Sequence, residues 1–194
     1  MKFDQPAGAT PIDADAAKDL IPRLSTQEEL NQFEQKNILS ATEWAMKNGR
    51  LKKSLLTLDG LKGLHKRMFD QTWKWAGKFR TTDTNLGVDW HSIPTRVKEL
   101  CNDASYWIEN RTYPLEELAV RVHYRLVHIH PFPNGNGRHG RLVADLFLIH
   151  NGQSTLTWGA KEIAKKGDVR IAYIEALRSA DSGNLEPLLK FARS

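Results

Sequence analysis

LAVRVHYRLVHIHPFPNGNGRHGRLVADLFLIH, residues 118–150, is the stretch on which the fold turns. Its first part keeps helical spacing: Leu118, Val122, Leu126 and Ile129, with Leu115 just upstream, fall on one face. Its last part does the same with Leu142, Val143, Leu146 and Phe147. Between them, HPFPNGNGRHGR, residues 130–141, holds two His, two Asn, two Arg, three Gly and two Pro. Such a loop builds core poorly and suits a negatively charged ligand. The reading is helix, loop, helix, with the end of the loop opening the second helix.

The chemistry of that loop follows from its position. The first N–H groups of a helix lack internal partners, and the helix dipole is positive there. Gly135 and Gly137 let the backbone turn tightly and approach a ligand without a Cβ between them. Together these features make an anion site. Arg138 and Arg141 lie three residues apart on the first turn, and each guanidinium can fork onto phosphate oxygens. Asn136 offers both a donor and an acceptor. A di- or triphosphate is the most economical ligand. His130, at the other end of the loop, has the proton affinity of a general base at neutral pH. Phe132 reads as an apolar anchor for the loop.

Three tempting readings fail. Gly135-Asn-Gly137-Arg-His-Gly140 matches G-x-G-x-x-G, but a dinucleotide fold needs a strand before it, and LAVRVHYRLVHIH reads as helix. The Walker pattern lacks its Lys-Ser/Thr. His123, His128 and His130 do not share one helical face, and no further Cys or carboxylate clusters with them, so a structural role is expected for His123 and His128.

Outward from the loop, helical patterns dominate. Ser25 is expected to cap a first helix, with Glu28 completing a capping box and Leu30, Phe33, Asn37, Ile38, Ala41 and Ala45 along one side until Gly49. A second helix begins near Thr57 or Asp59 and carries Leu58, Leu61, Leu64, His65, Met68 and Phe69 on one face. Pro94 opens a third, running through Trp107. Helices over about residues 168–179 and at the end of the chain close the molecule, and residues 13–20 read as one short helix in a turn-rich arm. TTDTNLGVDWHSI, from residue 81, lacks helical periodicity and reads as a β-hairpin turning near Asn85-Leu86-Gly87. The expected fold class is mainly α with one small hairpin. Trp75, Trp90, Tyr106 and Trp107 read as packing residues.

Composition narrows the function classes. The 194 residues are 40% hydrophobic and 26% charged, which fits one soluble domain with an arm. No apolar run approaches the ~20 residues of a membrane span. The opening MKFDQPAGATPIDADAAKDL does not read as a signal peptide. Cys101 is the single cysteine, so no intrachain disulfide forms, and a cytoplasmic, reducing compartment is expected. The net charge of +5 is spread without a basic block, so nucleic acid is not the expected partner.

HPFPNGNGRHGR closely resembles the Fic motif, His-x-Phe-x-(Asp or Glu)-Gly-Asn-Gly-Arg-x-x-Arg. LDGLKGLHKRMFDQTWKWAGKFR, residues 58–80, resembles the family's Leu-His-x-x-Phe and Trp-Ala-Gly-x-x-Arg segment. YIEALRSADSGNLEPLLKF, residues 173–191, resembles its C-terminal region. The likeness covers roughly residues 35–191, and the whole chain, including GATPID, resembles the bacterial subgroup called mobile mystery protein B. It implies an arm with a helix start over residues 1–34 and a Fic domain over 35–194. That domain would be a helical bundle core with a small β-hairpin flap near the active-site loop. It also implies transfer of AMP from ATP to a Ser, Thr or Tyr hydroxyl of a target protein.

Carried onto this chain, the resemblance makes His130 the general base. Gly135, Asn136 and Gly137 would form the anion hole, with the Asn136 side chain on the α-phosphate. Arg138 would meet the β-phosphate and Arg141 the γ-phosphate. Asn85, Leu86, Gly87, Val88, Asp89, Trp90 and His91 would form the flap that docks the target. Asn134 departs from the pattern: the family's carboxylate there holds Mg2+, and an amide oxygen without charge implies weakened ligation. Three outcomes stay open. The enzyme is slow, or the nucleotide supplies most of the metal's ligands, or the transferred group has changed to phosphate or another phosphodiester-linked moiety. A nucleotide-binding regulatory or toxin-like module is the alternative reading.

The family's inhibitory Ser/Thr-x-x-x-Glu-Gly/Asn element matches only Ser105 to Asn110, in the wrong helix. Glu34 lacks the Ser/Thr, since Leu30 stands there, and is assigned to the first core helix. Either a separate antitoxin-like protein restrains the chain or regulation takes another form.

Overall fold

The computed structural model describes residues 16–160 and 166–194. The arm around Pro6, Gly8 and Pro11 and the GATPID segment lie outside the described residues. Eight α-helices follow one another among those described: α1 Gln27–Lys47, α2 Gly49–Ser54, α3 Leu58–Phe69, α4 Ile93–Glu109, α5 Leu115–Ile129, α6 Asn136–His150, α7 Lys166–Asp181 and α8 Glu186–Arg193. α5 and α6, the pair on either side of the motif, pack most extensively on each other. α1 and α3 cover one side of α6, α4 lies on α5, and α7 and α8 pack together against α5.

Local chemistry sets the boundaries. The cap of α1 sits one residue later than Ser25: Thr26 is extended, its side chain accepts from Glu29 N, and Glu29 Oε2 accepts from Ser25 N at 2.6 Å and Thr26 N at 3.1 Å. Glu29 therefore fills the capping-box position that the sequence suggested for Glu28, because Glu29 stands three residues after Thr26. α1 ends at Lys47 rather than at Gly49. Asn48 caps both helices, its Oδ1 accepting from Arg50 N and Leu51 N to start α2. α1 runs unbroken through residues 34 and 35, so the arm and the core share one helix. The apolar faces converge on a core that includes Leu30, Leu64, Phe69, Trp73, Leu118, Leu126 and Leu146.

The expected hairpin is not formed. No strand occurs among the described residues; a single isolated bridge pairs Leu20 with Trp73. Residues 81–89 are an irregular loop leading into a 3-10 turn at Trp90–Ser92. The reason is Arg80, which is buried within the loop. Its Nε donates to His130 O at 2.7 Å, its Nη1 to Thr82 O at 2.9 Å and its Nη2 to Val88 O. A side chain thereby takes carbonyls that a strand ladder would pair. Asp83 Oδ1 accepts from Trp90 N, and Thr84 Oγ1 donates to Leu86 O, which closes the loop on itself.

Candidate active site

The motif loop is held from beneath by two side chains. His65, fully buried on α3, accepts from Gly77 N at its Nδ1, 3.0 Å away. Its Nε2 therefore carries the hydrogen and donates to Asn134 O at 3.1 Å. The ring also stacks on Phe132, with centroids 3.7 Å apart. Asn136 is 2% exposed and closes the loop: its Oδ1 accepts from Phe132 N at 2.9 Å, and its Nδ2 donates to Phe132 O at 2.8 Å. That leaves the second Nδ2 hydrogen for a ligand.

Gly135 caps α6 in the left-handed region, with φ of 80°. A Cβ there would lie 2.6 Å from the Phe69 ring, so both the backbone angle and the packing demand glycine. Gly135 N donates to Asn134 Oδ1 at 2.6 Å, so this N–H is already engaged. The N–H groups of Asn136 and Gly137 open the helix without intrahelical partners, at the positive end of its dipole.

His130 follows α5 with φ of 54°, a left-handed conformation that costs a non-glycine residue about 1–3 kcal/mol. Two contacts of Arg80 impose it: Nε on His130 O, and the backbone N donating to Pro131 O at 2.9 Å. Gly87 presses from the loop, where an added Cβ would sit 2.5 Å from His130 Cβ. The His130 ring is held at Nδ1, which can only donate to the Val127 carbonyl, 3.3 Å away. The lone pair is thus on Nε2. Burial lowers the imidazole pKa to about 4, against the Val127 contact that raises it, so the ring is neutral at physiological pH.

The two motif arginines have different surroundings. Arg138 is 35% exposed, lies 5.0 Å from the Phe69 ring centroid and donates from Nη1 to Glu34 Oε2 at 2.5 Å. Arg141 lies over Tyr173, 5.4 Å from the ring centroid. The Tyr173 hydroxyl meets Nε2 of the buried His123 at 3.1 Å and stands near Gly137. His128 faces Asp181 at the surface.

The structure thus brings His130, Asn134, Gly135, Asn136, Gly137, Arg138 and Arg141 into one loop and helix start. It places the loop carrying Asn85, Leu86, Gly87, Val88, Asp89, Trp90 and His91 beside it, tied by Val88 N donating to Ile129 O. Sequence reasoning missed Arg80 and the contact between Glu34 and Arg138, and it placed His65 only on a helix face. The Leu-His-x-x-Phe and Trp-Ala-Gly-x-x-Arg segments held the signal for His65 and Arg80. No local pattern signals Glu34, whose partner is 104 residues away.

The resemblance implied Mg2+ at position 134. The Asn134 amide oxygen accepts the Gly135 N–H, and no three His, Cys, Asp or Glu side chains gather to hold a metal among the described residues. This donor set does not fit a metal held by the protein, and the chain contributes no charged ligand at that position.

Residues 55–148 match the Fic/DOC family. It is similar to a protein adenylyltransferase of Caenorhabditis briggsae, 28% identical over 141 residues that cover 70% of this chain and 26% of that protein. A protein adenylyltransferase of Drosophila grimshawi is 28% identical over 167 residues, covering 82% of this chain and 33% of that protein. The chain therefore spans about a quarter to a third of the length of these curated relatives. In fold, it resembles a Bartonella tribocorum effector protein solved with bound AMPPNP, with a TM-score of 0.69 and 18% identity over 93% of this chain and 97% of that one.

Proposed function

We propose that the chain is a nucleotidyl transferase that moves AMP from ATP to a Ser, Thr or Tyr hydroxyl of a target protein. The observation that carries this reading is the geometry of His130. A neutral imidazole, with Nδ1 tied to Val127 and its lone pair on Nε2, borders a helix start that carries two arginines. In the reaction the target hydroxyl attacks the α-phosphorus and its proton passes to His130 Nε2. The bond from the α-phosphorus to the bridging oxygen breaks, and pyrophosphate leaves. Arg138 and Arg141 stabilise the charge that builds on the leaving phosphates. The loop at residues 81–92 is the surface against which an extended target segment docks. A cytoplasmic setting, and restraint by a separate inhibitory protein, belong to this reading.

Incubation with cell lysate and ATP labelled at the α-phosphate tests it. The wild-type protein should label a protein band, and His130→Ala should lose the label while keeping nucleotide binding. Labelling that survives His130→Ala would refute the assignment.

Asn134 favours a second reading, a nucleotide-binding module with weak catalysis or another transferred group. Asn134→Asp restores a carboxylate where the amide now stands. Under this reading it raises Mg2+-dependent labelling by about tenfold or more, whereas an unchanged rate supports the first.

A further inference from the structure

Glu34 is an acidic side chain only 5% exposed. Its two oxygens are used separately: Oε1 accepts from Trp73 Nε1 at 2.6 Å, and Oε2 accepts from Arg138 Nη1 at 2.5 Å. The carboxylate cannot rotate without losing one of them. Trp73 is itself packed in the core, 1% exposed and stacked on Trp75 with ring centroids 5.1 Å apart. On its other side Arg138 lies against Phe69. A buried ion pair is weak evidence for stability, because apolar residues of similar volume commonly serve as well. What this pair does supply is orientation. A long, flexible guanidinium on the first turn of α6 is fixed through Nη1, and its Nε–Nη2 edge stays available for the forked recognition of phosphate.

We infer that Glu34, braced by Trp73, is a positioning residue for Arg138 and sets the affinity for the second phosphate of a bound nucleotide. The inference rests on the nucleotide reading above and goes beyond it. Glu34 belongs to α1, outside the motif, and touches no ligand itself.

Calorimetric titration with ADP and AMP, on wild type, Glu34→Gln, Arg138→Ala and the double variant, tests it. Gln keeps an acceptor for Trp73 but turns an amide N–H toward Arg138. The expected result is about tenfold weaker ADP binding by Glu34→Gln, with AMP changed less than about twofold. The double variant should match Arg138→Ala within about twofold, since the effect runs through that arginine. Equal losses for ADP and AMP, or additive losses in the double variant, would reduce Glu34 to a packing role and overturn the inference. Tighter ADP binding would make Glu34 a competitor of phosphate and overturn it as well.

Circular dichroism and thermal unfolding show whether each variant folds. If Glu34→Gln does not, Trp73→Phe removes only the brace and should give the same pattern at smaller size. Failure of the wild type to bind ADP would count against the proposed function before any variant is compared. The Arg138 Nε–H signal in a nitrogen-15 spectrum then decides the inference alone. It should be dispersed in the wild type and averaged in Glu34→Gln, and an unmoved signal overturns it.

Discussion

Asn136 and Phe132 grip each other through both ends of one amide, with Oδ1 taking the Phe132 N–H at 2.9 Å and Nδ2 giving a hydrogen to the Phe132 carbonyl at 2.8 Å. The side chain expected on a phosphate spends most of its hydrogen-bonding capacity shaping the loop. Asn136→Asp keeps the acceptor but sets a carboxylate against the Phe132 carbonyl. It should destabilise the protein by about 1–3 kcal/mol. Thermal unfolding should register this as about 2–4 °C for each kcal/mol, and an unchanged Tm would show that another contact closes the loop.

Buried histidines make stability depend on pH. Burial lowers His123 to about 3, His130 and His139 to about 4, and His65 well below its ordinary value. In the unfolded chain each titrates near ~6.5. Between these values the unfolded state binds more protons, so stability is complete above ~6.5 and is lost as pH falls. Asp145 works the other way: burial raises it to about 6, so the folded state holds its proton between ~4 and 6. Four imidazoles against one carboxylate leave the excess of bound protons with the unfolded chain near pH 5, so the net slope follows the histidines. Urea unfolding at pH 7.5, 6.5, 5.5 and 5 measures the slope, and a flat profile below 6.5 would show that these imidazoles are solvated.

Transfer activity should ignore the same pH range. His130 Nε2 is unprotonated down to about pH 4, so the labelling rate, corrected for unfolded protein, is expected to be flat from pH 8 to 5.5. An acid limb with a midpoint near ~6.5 would mean that the working imidazole is exposed.

Gly87 has a φ of 98° and faces His130 Cβ, Arg80 Nη2 and Ile129 O. Gly87→Ala should displace the loop from the imidazole, at a cost of about 1–3 kcal/mol in backbone strain. Labelling should fall by about tenfold or more, because misplacement by an ångström loses that much, while ADP affinity holds. Equal loss of both would place Gly87 in the nucleotide site instead.

The helical core was legible because apolar spacing and caps are local signals. The pattern over Leu115 to Ile129 gave α5 to the residue, and Pro94 marked the start of α4 within one. The capping box slipped by one place because Ser25 and Thr26 offer equivalent hydroxyls and Glu28 and Glu29 equivalent carboxylates. The hairpin failed for a different reason. Alternation and a glycine turn say nothing about Arg80, whose fork depends on where residues 129–131 arrive in space. The same limit hid His65 and Glu34: each meets the motif across 69 and 104 positions of chain, respectively. Motif chemistry can be read from one segment, but the supports of that motif cannot.

The span of α1 has a consequence for where this domain is cut. The segment that matches the family model, residues 55–148, contains Arg138 and Phe69 but neither Glu34 nor Tyr173. A fragment trimmed to those limits would retain every motif residue and discard both the counter-ion of one arginine and the aromatic floor of the other. The segment that carries the family match is smaller than the unit that can work.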